Sequence, residues 1–132
     1  MRVSVDTNVL ARAILQDDPA QCRRARKLLK EATLIAVSLP CLCELVWILR
    51  QGARLTKEDA VAAIRALFDT ENVVMNRAAV EAGLAMLEAG GDFADGIMAH
   101  EGIWLGGETF VSFDKQAVTL LLKRGQAARL LH

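Results

Sequence analysis

The sequence has no tyrosine, and aromatic residues make up only 5% of it. So few rings give no platform on which successive bases of a single strand could stack. Cysteines number three and histidines two. That odd count, with so little histidine, supports neither a disulfide framework nor a Cys/His zinc site. Cys41 and Cys43 lie in an apolar run and read as small buried hydrophobes, and reduced thiols suit the cytoplasm. Neither sign of charge is in excess: 16 Lys and Arg stand against 16 Asp and Glu. A protein that coats nucleic acid by bulk positive charge is thereby excluded. Long apolar runs are also missing. The longest, residues 34–49, contains Ser38, Pro40 and Glu44 and falls short of the ~20 residues a membrane span needs. The N-terminus lacks the apolar core of a signal peptide. The expectation is a soluble cytoplasmic protein with no membrane partner.

What is present is apolar substance. Hydrophobic residues make up 53% of 132 residues, which is not the composition of a disordered chain. A chain of this size buries about two-thirds of its unfolded surface, enough for one domain over residues 1–132. No repeat, linker or low-complexity segment divides it. The charges are unevenly placed. Residues 1–66 hold 11 basic and 7 acidic side chains, and residues 67–132 hold 5 basic and 9 acidic. Such asymmetry suits a basic docking face beside an acidic site.

The pattern alternates strands with helices. Strands are expected at 2–5, 34–37, 73–75, 109–113 and 128–131, where β-branched and apolar residues cluster. Helices are expected after Asp6, after Asp18 with Pro19 at the first position, after Ser38 as far as Gly52, after Thr56, after Asn76 as far as Gly90, after Asp92, and from Asp114 to about Lys123. Val61, Ile64 and Phe68 form an apolar stripe expected to face the core, and a helix pair here could also carry a dimer or partner-protein contact. Trp47 and Trp104 read as core or interface anchors. This alternation implies right-handed crossovers, an α/β class and a mostly parallel sheet of about five strands with helices on both faces. No glycine-rich phosphate loop is present.

Ligand crevices of such sheets lie beyond the carboxyl ends of the strands. Asp6 follows the first strand and Asp114 the fourth. Asp92 and Asp95 sit three apart at a helix start, on one face. Glu44 sits among Leu42, Leu45, Val46 and Trp47 with no cation within four positions, so its burial would require an outside partner. Asp6, Asp92 and Asp114 also suit helix N-caps, and Asp95 the positive end of a helix dipole. Taken together, converging carboxylates would repel one another, and a divalent cation resolves the repulsion. Oxygen donors without His or Cys fit Mg²⁺ or Mn²⁺ better than zinc. The usual chemistry of such a site is phosphodiester hydrolysis. A basic cluster, Arg23, Arg24, Arg26 and Lys27, could hold RNA phosphates or simply face solvent. His100 lies five residues beyond Asp95, off its helical face.

The ordered set Val5-Asp6-Thr7-Asn8, Cys43-Glu44-Leu45-Val46-Trp47, Asp92-Phe93-Ala94-Asp95 and Phe113-Asp114-Lys115 resembles the motifs of PIN-domain nucleases. It is most similar to VapC-type toxins of toxin–antitoxin pairs, and the likeness runs over essentially the whole chain. The resemblance implies a three-layer α/β/α sandwich and an endoribonuclease that uses Mg²⁺ or Mn²⁺. It also implies homodimerisation and inhibition by a cognate antitoxin whose tail enters the active-site groove. By position, Asp6, Glu44, Asp95 and Asp114 match the metal-binding acids, and Asp92 an accessory acid. Thr7, Asn8 and Ser112 match polar residues that position carboxylates or water. Gly96 stands where Ala is commoner and is expected to loosen the helix start; Ser112 stands where Thr is common. The alternative to a nuclease is a catalytically silent PIN-like module that binds RNA or a partner without cutting. A phosphatase acting on small phosphoesters fits less well, since Asp6-Thr7-Asn8 lacks the second acid of an Asp-x-Asp arrangement.

Overall fold

Seven α-helices and five short parallel strands alternate along the chain in a computed structural model that describes residues 1–132. The α/β class read from the sequence is borne out. The chain divides into two compact units, Met1–Asn76 and Arg77–His132.

In the first unit the order is β1 (Arg2–Ser4), α1 (Thr7–Leu15), α2 (Pro19–Glu31), β2 (Leu34–Ala36), α3 (Leu39–Trp47), a π-helical turn over Ile48–Gly52, α4 (Lys57–Phe68) and β3 (Val73–Val74). β2 lies between β1 and β3, with Val3 opposite Ile35 and Ile35 opposite Val73. Each helix start uses the expected cap. Asp6, Asp18, Ser38 and Thr56 accept from the backbone N–H three residues on, satisfying a donor that the first turn leaves orphaned. Leu10, Ile35, Leu42, Leu45, Leu49 and Ile64 are fully buried in this unit.

The second unit runs α5 (Arg77–Glu88), α6 (Phe93–Trp104), β4 (Phe110–Ser112), α7 (Lys115–Lys123) and β5 (Ala128–Leu130). β4 pairs in parallel with β5, Val111 opposite Arg129. Met86, Ala99 and Leu121 form a buried cluster, and Phe110, Leu120 and Ala128 pack against it.

Three expectations need correction. The five strands form two hydrogen-bonded sheets, of three strands and of two, and not one sheet of five. Strands of two or three residues supply few ladder bonds each, and a sequence pattern cannot tell which neighbours they pair with. Trp47 and Trp104 are not core residues; they are 63% and 79% exposed. The Trp104 Nε1 donates to His100 Nε2 at 3.1 Å. On α4 the buried positions are Ala60, Ile64 and Leu67, so Val61 and Phe68 flank the stripe and do not form its centre.

Helix ends also differ in their chemistry. Gly90 and Gly125 take positive φ where the sequence expects helix breaks, as glycine does at no steric cost. After α3, Gly52 is not the residue that turns. Ala53 N–H donates to the Ile48 carbonyl and Leu55 N–H to the Leu49 carbonyl, both at 2.8 Å. Arg54 takes the left-handed conformation, with φ of 57°, and Arg50 Nη1 holds the loop by donating to the Leu55 carbonyl.

Candidate active site

The candidate acids fall in two groups, one in each unit. In the first unit Asp6 ends β1 and caps α1. Its Oδ1 accepts from Val9 N–H at 3.2 Å, which fixes the carboxyl and leaves Oδ2 without a protein partner. Thr7 follows, the single buried polar residue of the chain. Its side chain hydrogen-bonds Cys41 on α3.

Burial pushes the Cys41 thiol up from its ordinary value. The Thr7 hydrogen bond opposes that shift, and the negative charges of Asp6 and Glu44 add to it. Asp6 and Glu44, 38 positions apart in sequence, therefore act on the same thiol. Glu44 itself is exposed, which corrects the expectation of a carboxylate in need of rescue from burial. α3 buries Cys41, Leu42, Leu45 and Val46, and the 3.6-residue period turns Glu44 away from that face.

In the second unit Asp92 caps α6, accepting from Asp95 N–H at 3.0 Å. Asp95 sits in the first turn, partly buried. Burial raises its pKa from the ordinary carboxylate value, and the charges of Asp92 and then Asp114 raise it further. Asp114 caps α7. Its Oδ1 accepts from Gln116 and Ala117 N–H at 2.9 and 3.2 Å, and Ser112 Oγ accepts the Asp114 backbone N–H at 2.9 Å. Three acids drawn from two helix starts and a strand end thus share one electrostatic environment.

The capping reading of Asp6, Asp92 and Asp114 is correct, and it does not compete with a functional one. A cap occupies one carboxylate oxygen and aims the other. The donors are all hard oxygens, which suits Mg²⁺ or Mn²⁺. No group of three or more His, Cys, Asp or Glu side chains is gathered so that it could hold a metal ion. Mg²⁺ is commonly held by one or two carboxylates, with water and substrate phosphate completing its shell, so pairs of acids suffice in donor chemistry.

The basic cluster on α2 separates by face. Arg24 lines a groove between α1 and α2. Arg26 Nε donates to the Ala13 carbonyl at 3.1 Å, while Arg23 and Lys27 are exposed. Arg12, which the motif reading passed over, lines the same groove. The signal was available, since Arg12 follows Asn8 by one helical turn.

The PIN domain family matches residues 3–119. The match runs through both units and takes in all four motifs, and the chain belongs to that family, whose members are generally nucleases. Comparison with individual curated proteins gives no significant match. No helix is long and apolar enough to cross a membrane.

Proposed function

We propose that residues 1–132 act as a single metal-dependent endoribonuclease domain, the toxin of a toxin–antitoxin pair, working in the cytoplasm. The observation that carries this reading is Asp95, drawn towards its protonated form by burial and by the nearby Asp92 and Asp114. Carboxylates whose pKa is raised by burial and by neighbouring like charges are characteristic of sites that bind cations or perform acid–base chemistry. The acids proposed to hold Mg²⁺ or Mn²⁺ are, within the first unit, Asp6 and Glu44 and, within the second, Asp95 and Asp114. When bound, the cation supplies the charge that makes a water nucleophilic and offsets charge building on the phosphodiester. The chain's own part is orientation. Helix caps fix Asp6 and Asp114, Ser112 holds the backbone at Asp114, and Asp92 holds the turn that carries Asp95. Asn8 lies beside Asp6 in the α1–α2 groove and offers an amide to the substrate or its water.

The test is cleavage of RNA with Mg²⁺ or Mn²⁺ by the wild type, Asp6→Asn and Asp95→Asn. Losing one charged oxygen from the set is expected to reduce cleavage by a hundredfold or more, on the order of a lost electrostatic group in a catalytic site. Equal cleavage by all three would sink the mechanism. The toxin assignment predicts growth arrest on expression and relief by a small co-expressed antitoxin that co-purifies with the chain. Homodimerisation, with the exposed Trp47 or Trp104 as interface anchors, predicts twice the chain mass in light scattering.

A further inference from the structure

The groove between α1 and α2 has a volume of about 410 Å³ and begins at Asp6. From α1 it takes Asn8 and Arg12, one turn apart. From α2 it takes Gln21, Arg24 and Leu28, spaced three and then four residues, a single helix face. The two cations in it differ in their bonding. Arg12 is held rigidly: Nε donates to Gln21 Oε1 at 2.9 Å and Nη1 to Asp17 Oδ2 at 2.7 Å. A guanidinium carries five N–H donors, so three remain for a ligand, already oriented. Arg24 makes no side-chain hydrogen bond or ion pair and stands exposed on the groove's wall. With Arg12 paired to Asp17 and Asp6 at the groove's end, Arg24 is the cation of the lining that no carboxylate pairs.

We infer that this groove is a phosphate-binding track for single-stranded RNA, in which Arg12 and Arg24 hold backbone phosphates next to the nucleotide presented at Asp6. The inference rests on the nuclease reading for the identity of its ligand and extends it to the path of the substrate. A planar guanidinium fork matches the paired oxygens of a phosphate. The alternation of cationic forks with the apolar Leu28 and Val9 suits a chain of charged phosphates and flat, less polar sugars and bases. Backbone contacts of this kind give affinity and register, not sequence choice. The other α2 cations are set apart: Arg26 is committed to Ala13, and Lys30 does not line the groove.

The experiment is fluorescence anisotropy of a labelled single-stranded RNA with the full chain in a chelator, so that nothing is cut, over a series of salt concentrations. Arg24→Ala is expected to weaken binding about tenfold, the ratio of one lost charge-assisted hydrogen bond. It should also flatten the slope of log affinity against log salt by about 0.7, the value for one phosphate contact on a single strand. Lys30→Ala, which removes the same charge from the same helix outside the groove, should change neither by that amount. Equal effects of the two substitutions would overturn the inference, and so would an Arg24 dependence seen with a polyglutamate peptide but absent with RNA. Arg24-dependent binding by a wild type that does not cleave with Mg²⁺ supports the track while removing the nuclease reading. Cleavage by a wild type whose RNA binding ignores Arg24 does the reverse.

Discussion

At the scale of the residue, the proposed chemistry rests on carboxylates that also cap helices. Asp114 satisfies two orphaned helix donors with Oδ1 and keeps its second oxygen available. Asp95 is the exception, because no helix donor is assigned to its side chain and its surroundings disfavour its charge. The sign of the consequence is definite. With the folded pKa raised above the ordinary value of 3.8, the folded chain binds more proton than the unfolded chain between the two values. Stability therefore falls as pH rises through that interval, and the loss persists above it. Asp95→Asn cannot ionise. In a chelator it should melt above the wild type at pH 7, with the gap closing as pH is lowered to 3.8. Thermal unfolding at several pH values checks this, and a variant less stable than the wild type at pH 7 would contradict it. The site thus stores a small instability that bound cation would remove.

At the scale of the element, α5 and α6 make the closest helix pairing in the second unit, and glycine makes it possible. A Cβ on Gly96 would lie 2.6 Å from the Ala82 carbonyl oxygen and 2.8 Å from Met86 Cβ. The residue that resembles a loosening of the helix start is the one that lets α6 approach α5. Gly83 faces Phe93 and Ile97 across the same contact. Gly96→Ala is expected to destabilise the chain by about 1–3 kcal/mol, the usual range for overpacking where backbone must move. Urea unfolding measures it directly. Because Asp95 precedes Gly96, the displacement should also lower cleavage, which separates this glycine from one that merely tolerates a turn.

At the scale of the whole molecule, net charge is a poor guide to partners. The balance is zero, yet Asp6, Asp92, Asp95 and Asp114 stand at helix starts and Arg12 and Arg24 line the α1–α2 groove. RNA would meet repulsion at the acids without divalent cation and attraction along the groove. Removing metal should therefore abolish cleavage and leave groove binding in place. Adding Mn²⁺ to the chelated protein should raise its melting temperature by ligand linkage, and that rise should vanish in Asp95→Asn. An unchanged melting temperature in the wild type would argue against the metal site.

Much of this was legible in the sequence, for physical reasons that can be named. Caps are local, so Asp6, Asp18, Ser38, Thr56, Asp92 and Asp114 marked helix starts before any packing was known. Glycine at φ near 90° ended α5 and α7 where the sequence placed the breaks. The order of the acidic motifs pointed to the PIN family, and the family match bears that out. Pairing and exposure were not legible, because they depend on distant segments. Only the tertiary structure could decide that five strands form a sheet of three and a sheet of two. It also decided that Glu44 and Trp47 face outwards while Leu45 between them is fully buried. Arg54, not a glycine, turns the chain after α3, since the loop is held by Arg50 and by carbonyls of the preceding turn. The residues that would do chemistry were fixed by local sequence. Which of them share an electrostatic environment was set by how helices and strands pack.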